Sequence, residues 1–294
     1  MRKIKGFTLI ELLVVIAIIA LLLSVILPSL RAAKELASGV VCTNNQKSLA
    51  MAWVMYADDN GGKIVGGSTY YAGNRPTPYR WVEPPLLQPV YASQTASQAQ
   101  LSQETRINGI LAGKLYTYLE SHEVYHCPGD KTFKNSEPYA VYRSYAVTGL
   151  MNGEDFPAGA RAGNNQFNPI TQFRSVNLNG VLKELKVAIK MSDIQSPGSK
   201  LVFMEEDVVK GKPNNPQEYN KGGWVLLSNG YTWWDAPAGY HNEGSTFSYA
   251  DGHAERRKWR DKDTVALVEE GTPDPSPQTN EDLIWLSRGY IPMP

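Results

Sequence analysis

The sequence predicts an α+β fold in which one long amino-terminal helix packs on an antiparallel β-sheet that carries long loop insertions. Three observations lead to this prediction. Residues 7–27 are almost entirely apolar, and apolar residues continue at helical spacing to about residue 57. Residues 246–259, TFSYADGHAERRKW, alternate around an Asp-Gly pair, which is typical of a β-hairpin. Residues 200–207, KLVFMEED, have the composition of a further strand.

The composition divides the chain into one apolar helix and one domain outside the membrane. Of its 294 residues, 29 are basic and 29 acidic, so charge does not predict binding to nucleic acid or to a membrane surface. No apolar run after residue 57 is long enough to cross a bilayer. The predicted organisation is a basic segment at residues 1–6, a helix at 7–57 and an α+β head at 58–294.

The apolar segment contains a single charged side chain, Glu11. A helix over residues 7–27 would be roughly 31 Å long, which matches the ~30 Å hydrocarbon core of a bilayer. The basic residues of MRKIKG place the amino terminus in the cytoplasm, and no A-x-A cleavage pattern follows the apolar segment. An ordinary single-pass anchor would explain these features. It would not explain a carboxylate that is costly in lipid unless a partner neutralises it.

The predicted helix continues beyond the membrane in two apolar stripes. The first stripe consists of Leu30, Ala33, Ala37, Val40 and Val41, and the second of Leu49, Ala52, Trp53 and Tyr56. The stripes are out of phase, and the change falls at residues 43–45. We expect one helix of roughly 75 Å, whose second half docks on the sheet and which ends at the turn residues DDNGG. The alternative is two helices with a hinge near Pro28 or residues 43–45.

The remaining strands and loops complete the expected head. LKVAIKMSDI at residues 185–194 is predicted to be a strand, and with KLVFMEED and the hairpin it would make a sheet of about four strands. GTPDPSPQTNED is predicted to be a proline-rich loop before a short last element, DLIWLSRGYIP.

The segment KGFTLIELLVVIAIIALL resembles the amino termini of type IV prepilins and type II secretion pseudopilins. The resemblance implies that residues 1–6 are a leader, which a prepilin peptidase removes by cutting after Gly6 before the new terminal residue, Phe7, is methylated. It also implies that Glu11 pairs with the terminal amine of a neighbouring subunit during filament assembly, which would neutralise a charge that is costly alone. Pro28 would kink the helix, as prolines near the end of the span do in pilins.

Two further segments and the hairpin resemble a pilin-like group of Planctomycetes and Verrucomicrobia that is named for His, nine residues, then Asp-Gly. The segments are CTNNQKSLAMAWVMYADDNGGK, YHCPGD and HNEGSTFSYADGHAE, in which His241 is followed after nine residues by Asp251 and Gly252. Residues 66–120 and 152–185 match nothing in that group, and their role is not predicted. The second resemblance supports the architecture more than a function.

The resemblances imply a filament-forming structural subunit and no enzyme. We favour a pseudopilin of a type II secretion system; the alternative is a subunit of a type IV pilus for adhesion, motility or DNA uptake. The expected partners are other pilin-like subunits, the prepilin peptidase and an inner-membrane assembly platform. The expected location is the inner membrane, with the head in the periplasm or at the cell surface. A different class, a glycan-binding surface anchor that never polymerises, would use aromatic residues such as Tyr70, Tyr71, Tyr79, Trp81, Trp233 and Trp234.

The chain has two cysteines, Cys42 on the helix and Cys127 before Pro128. Both would lie outside the cytoplasm, in a compartment that permits disulfides. We predict a disulfide that would stabilise the fold by roughly 4.5 kcal/mol in the chain-entropy model. The alternative is two buried thiols.

Candidate catalytic and metal-binding residues are few. HEVYH at residues 122–126 matches H-E-x-x-H, but CPGD follows at once and Val124 and Tyr125 favour a strand, so a helical zinc site is not expected. His241 with Asp251 could form a metal or catalytic pair, although a core histidine bonded to hairpin backbone is favoured. The acidic run of Glu205, Glu206 and Asp207 has no recognisable ligand spacing. No metal or cofactor is predicted, and calcium is the alternative.

Overall fold

A computed structural model describes most of the head and nearly all of the amino-terminal helix. The described residues are 8–67, 80–90, 93–134, 141–152, 173–178, 181–207, 223–224, 233, 235–270 and 279–290.

The amino-terminal helix, α1, is a single element that runs from Leu9 to Asp59. It passes without interruption through Pro28 and through residues 43–45, so the alternative of two helices is wrong. The turn residues end it as predicted, because the amide of Gly62 donates to the carbonyl of Ala57 over 2.7 Å. Gly61 and Gly62 both have positive φ angles, 63° and 79°, which few other residues adopt.

In its described residues, the head combines short helices with two sheets. Its helices are α2 (Gln103–Leu111), α3 (Tyr116–Leu119), α4 (Lys262–Glu270) and α5 (Glu281–Tyr290). Its strands are β1 (Tyr145–Thr148), β2 (Phe173–Leu178), β3 (Val181–Lys186), β4 (Leu201–Glu205), β5 (Gly223–Trp224), β6 (Gly244–Tyr249) and β7 (Ala254–Lys258). The α+β class is confirmed, and α5 is the short last element that the sequence predicted.

Over the described part of the chain, the main sheet has five strands in the order β5-β1-β4-β6-β7, and β2 and β3 form a separate antiparallel pair. All pairs in the main sheet are antiparallel except β1 with β5. The predicted hairpin is confirmed as β6 and β7, and KLVFMEED is confirmed as β4. The predicted strand at residues 185–194 is largely wrong. β3 ends at Lys186, and a 3-10 turn forms at Met191–Asp193, where the Asp193 carboxylate accepts from the Ile189 and Lys190 amides.

The main sheet has a core on each face, and alternation along β6 shows how the two faces are separated. Ser248 faces α1, where its hydroxyl donates to the Gln46 side chain over 3.1 Å. Phe247 faces the other side, where its ring lies 5.6 Å from that of Trp259 and 5.0 Å from that of Trp285 on α5. Every residue of β6 is buried because α1 covers one face and the carboxy-terminal helices cover the other.

The two halves of α1 differ in burial. The second apolar stripe is buried against the sheet, as predicted, with Leu49 and Trp53 fully inaccessible. The first stripe is exposed, with Leu30 61% and Val40 71% accessible. Within the described residues, α1 is long and apolar enough to cross a membrane. Its amino-terminal half thus presents an apolar surface that the head does not cover.

Candidate functional site

Glu11 lies in the first turn of α1, where it forms a capping box with Thr8. The Glu11 carboxylate accepts from the Thr8 amide over 2.8 Å and from its hydroxyl over 2.7 Å, while the Glu11 amide donates to that hydroxyl over 3.3 Å. These bonds satisfy groups that a helix amino terminus otherwise leaves without partners. The capping box can be read in the sequence as Thr-x-x-Glu, whereas the resemblance to pilins implies a role only for the charge. Glu11 thus has a local role before any neighbour is present.

The predicted processing site, Gly6 and Phe7, lies outside the described residues, so cleavage and methylation stay predictions. Pro28 lies inside α1. Because proline has no amide proton, it cannot donate to the carbonyl four residues earlier, that of Ser24. This is the usual origin of a helix kink, and the kink stays a prediction.

A second candidate site lies where α1 meets the head. It consists of Cys42, Cys127, Glu205 and His241, which we call the Cys-Glu-His cluster. One potential ligand atom from each residue lies within 4.8 Å of the other three. The Cys127 Sγ atom is 3.3 Å from His241 Nε2, which is 3.0 Å from Glu205 Oε1. All four residues are completely buried.

Each member of the cluster comes from a different part of the fold. Cys42 lies on α1, and Cys127 follows the 3-10 turn His122–Tyr125. Glu205 is the last residue of β4, and His241 precedes β6. The cluster therefore joins the amino-terminal helix to three segments of the head.

Neighbouring groups hold the carboxylate and the imidazole of the cluster. Glu205 Oε2 accepts from the Thr246 amide over 2.9 Å and from the Ser245 hydroxyl over 3.2 Å. The Ser38 hydroxyl donates to the Glu35 carbonyl over 2.8 Å, so it is placed to accept from His241 Nδ1, 3.4 Å away. These contacts leave Glu205 Oε1 and His241 Nε2 directed at each other and at the cysteines.

The loop CPGD holds Cys127 through its backbone. The Gly129 amide donates to Cys127 Sγ over 3.3 Å, and the Cys127 amide donates to the Ser144 hydroxyl over 3.0 Å. Ser144 in turn donates to Asp130 over 2.7 Å, and that carboxylate also accepts from the amide and hydroxyl of Thr132. The sulfur is therefore fixed by a short network of hydrogen bonds.

Charges in the cluster are strongly coupled. Burial opposes a charge on His241, but hydrogen bonds with Cys42 and Glu205 outweigh it and raise the pKa of the imidazole to about 10. Burial also opposes a thiolate at Cys42, yet hydrogen bonds with Cys127 and His241 lower its pKa to about 7. Burial and the Cys42 sulfur raise the pKa of Cys127 far above its ordinary value. Negative charge on sulfur is therefore best stabilised at Cys42.

The predicted disulfide is not formed in the structure, in which Cys42 and Cys127 are buried free thiols. The two residues lie close together, as a bridge would require, and the alternative of two buried thiols describes them. No spacing along the chain indicates that Glu205 and His241 join them, because Glu205 stands in an acidic run and His241 stands next to the hairpin.

The motif residues His241 and Asp251 lie at opposite ends of β6 and do not form a pair. His241 is buried, as the favoured prediction of a core histidine requires. Its ring contacts side chains of the Cys-Glu-His cluster, however, and not the backbone of the hairpin. Asp251 accepts from the amide of His253 and pairs with its ring over 2.6 Å. Gly252 turns the hairpin with a φ angle of 91°. Asp251 and Gly252 therefore shape the turn, whereas His241 belongs to the cluster.

The HEVYH segment forms a 3-10 turn over His122–Tyr125 rather than the expected strand. His122 Nδ1 is 2.6 Å from the Tyr142 hydroxyl, and His126 Nδ1 is 2.8 Å from the Tyr142 carbonyl. Both imidazoles thus contact Tyr142, which lies in the segment that precedes β1.

The acidic run and the aromatic residues are the remaining candidates for ligand binding. Glu205 faces His241, while Glu206 and Asp207 are largely buried beyond the end of β4. Calcium binding stays the alternative to the prediction of no metal. Two of the aromatic residues proposed for a glycan surface, Trp81 and Trp233, are instead buried in the two cores. Tyr70, Tyr71, Tyr79 and Trp234 lie outside the described residues.

Comparisons with known proteins found matches to part of the chain. Residues 1–27 match the family described as the prokaryotic N-terminal methylation motif. The type IV wide pilus major component PilA4 of Thermus thermophilus is 50% identical over 60 residues, which are 20% of this chain and 46% of the pilus protein. The match thus spans about half the length of that relative. No solved structure matches the chain. The chain is therefore similar in part to a type IV pilin, and its first 27 residues match the methylation motif.

Proposed function

We propose that the chain is a structural subunit of a pilin-like filament, inserted once in the inner membrane and then polymerised. The observation that carries this proposal is the methylation motif at the start of a helix whose first half is apolar and uncovered by the head. In a filament, neighbouring helices would cover that apolar surface after the subunit leaves the membrane. Its partners would be a prepilin peptidase, other subunits and an assembly platform.

Two kinds of filament fit this proposal. We favour a type II secretion pseudopilus, because the head resembles the pilin-like group described above, whose members are usually placed with major pseudopilins. The similarity to a type IV wide pilus component supports the alternative, a type IV pilus. Deletion of the chain distinguishes them. Loss of secretion of folded enzymes with surface fibres retained would support the pseudopilus, and loss of fibres with secretion retained would support the pilus.

Glu11 provides the sharpest test of polymerisation, because its two roles can be separated. Glutamine replaces glutamate in capping boxes, so Glu11→Gln retains the local hydrogen bond but removes the charge. Thr8→Ala does the reverse, since it removes the hydroxyl that caps the helix and retains the carboxylate.

If Glu11 meets the amine of a neighbouring subunit, Glu11→Gln should sharply reduce filaments released by shearing, at matched levels in the membrane. Thr8→Ala should assemble much closer to the wild type. Normal filaments from Glu11→Gln together with loss in Thr8→Ala would show that Glu11 acts only as a cap. Absence of filaments from wild-type cells in which the chain is abundant would contradict the proposed function itself.

A further inference from the structure

We propose that the Cys-Glu-His cluster is a structural binding site for a divalent transition metal, with zinc as the expected ion. Cys42, Cys127, Glu205 and His241 supply two sulfurs, one carboxylate oxygen and one imidazole nitrogen. Thiolate and imidazole ligands favour zinc among the common divalent ions, and structural zinc sites are four-coordinate. The inference does not depend on filament formation.

The distances within the cluster are close to those of a tetrahedral site. With Zn–S bonds of about 2.3 Å and Zn–N and Zn–O bonds of about 2.0 Å, neighbouring ligand atoms are about 3.3–3.8 Å apart. Cys127 Sγ and His241 Nε2 are 3.3 Å apart, and His241 Nε2 and Glu205 Oε1 are 3.0 Å apart. The remaining pairs of ligand atoms lie within 4.8 Å of one another, so a central ion would require the side chains to move inward by up to about 1 Å.

The surrounding hydrogen bonds have the arrangement that metal ligands usually have. A ligating histidine generally donates its other ring N–H to a neighbour, and ligating carboxylates are themselves hydrogen-bonded. Here His241 Nδ1 faces the Ser38 hydroxyl, and Glu205 Oε2 accepts from the Thr246 amide. The Gly129 amide donates to Cys127 Sγ and would stabilise a thiolate there. The atoms that these bonds leave available, His241 Nε2 and Glu205 Oε1, are those that face the centre of the cluster.

Complete burial indicates a structural rather than a catalytic role. All four residues are inaccessible, and the four protein atoms would fill a tetrahedral shell. A bound ion would link Cys42 on α1 to three segments of the head. We therefore expect metal binding to fix the docking of α1 on the sheet.

The first experiment measures metal and thiols in the full-length wild-type protein, purified in detergent after alkylation at lysis. We expect about one zinc ion per chain by elemental mass spectrometry. After chelation and denaturation without reductant, both cysteines should react with a second alkylating agent, since burial and the metal shield them at lysis and no disulfide links them. A Cys42–Cys127 disulfide would overturn the proposal. So would a folded protein in which both thiols are free but no metal ion is bound.

The second experiment replaces zinc with Co²⁺, whose thiolate charge-transfer band reports sulfur ligands directly. Wild-type protein should show this band, Cys42→Ser and Cys127→Ser should each retain about half its intensity, and the double variant should lose it. His253→Gln is the matched control, because His253 is an exposed histidine that pairs with Asp251 outside the cluster. A band that survives in the double variant, or no band in the folded wild type, would contradict the assignment.

Discussion

Gln46 of α1 and Ser248 of β6 are joined by a hydrogen bond of 3.1 Å in the fully buried contact between helix and sheet. The same Gln46 side chain donates from Nε2 to the Thr246 carbonyl over 3.1 Å. One glutamine thus satisfies a hydroxyl and a carbonyl on a central strand. Because buried polar groups are costly without partners, this pair of bonds helps to specify where α1 docks.

Replacing Gln46 with leucine should destabilise the head by about 1–3 kcal/mol, because the Thr246 carbonyl and the Ser248 hydroxyl would lose a buried partner. Urea unfolding of the full chain in detergent, followed by tryptophan fluorescence, measures the change. Lys47→Ala, at an exposed neighbouring position, is the control. The double variant Gln46→Leu/Ser248→Ala should lose less stability than the sum of the single changes. Simple additivity would contradict a specific Gln46–Ser248 interaction.

The exposed first stripe of α1 leads to a separate prediction, namely that a charge placed on it impairs filament assembly but not the stability of the head. Val40 is 71% accessible, so Val40→Asp should leave the thermal unfolding of the head nearly unchanged. In a filament, the new carboxylate would lie against apolar neighbours, and the yield of sheared filaments should fall severalfold. Lys34→Asp, on an exposed polar position of the same helix, is the matched control. Equal filament yields from both variants would show that the stripe is not a subunit contact.

The raised pKa of Glu83 predicts that the stability of the head depends on pH. It is almost fully buried, and burial raises its pKa to about 8 even though Arg80 lies 3.5 Å away. An acid with a higher pKa in the folded chain binds its proton more tightly there. Its contribution to the free energy of unfolding is therefore complete below the ordinary pKa of about 4.5 and is lost as the pH rises through about 8.

Glu83→Gln should remove this dependence. Between pH 5 and about 8, the variant should gain stability relative to the wild type by up to about 1.4 kcal/mol per pH unit. Urea unfolding of both proteins across this range measures the difference, with the exposed Glu104→Gln as control. Parallel curves, or a relative loss as the pH rises, would mean that Glu83 is ionised and stabilised by Arg80 in the folded chain.

The fold was largely predictable where the signal is local. Helical spacing predicted that Leu49 and Trp53 are buried, and Asp251-Gly252 predicted the hairpin. The strand predicted at residues 185–194 was wrong because its β-branched and apolar residues also suit a buried loop. Helix α4 was not predicted, because KDTVALVEE is short and has few apolar residues. Those residues are buried only by packing on the face of the sheet opposite α1.

Only part of the Cys-Glu-His cluster was predictable, because two of its members depend on long-range strand pairing. Cys42 and Cys127 are the chain's two cysteines, which made a close approach between them predictable, and the structure brings them together. Glu205 and His241 join them through strand pairing between β4 and β6, which no spacing along the chain reveals. The capping box of Thr8 and Glu11, by contrast, was a readable local motif.

The amino terminus of the chain in sheared filaments tests the central claim most directly. Mass spectrometry should find a chain that begins at N-methylated Phe7, and Gly6→Val should block this processing because a branched side chain would obstruct the peptidase. The account predicts mature chains in the filament fraction and unprocessed Gly6→Val chains confined to the membrane. An intact Met1 in assembled material, or a cut beyond Leu27, would contradict a pilin-like subunit.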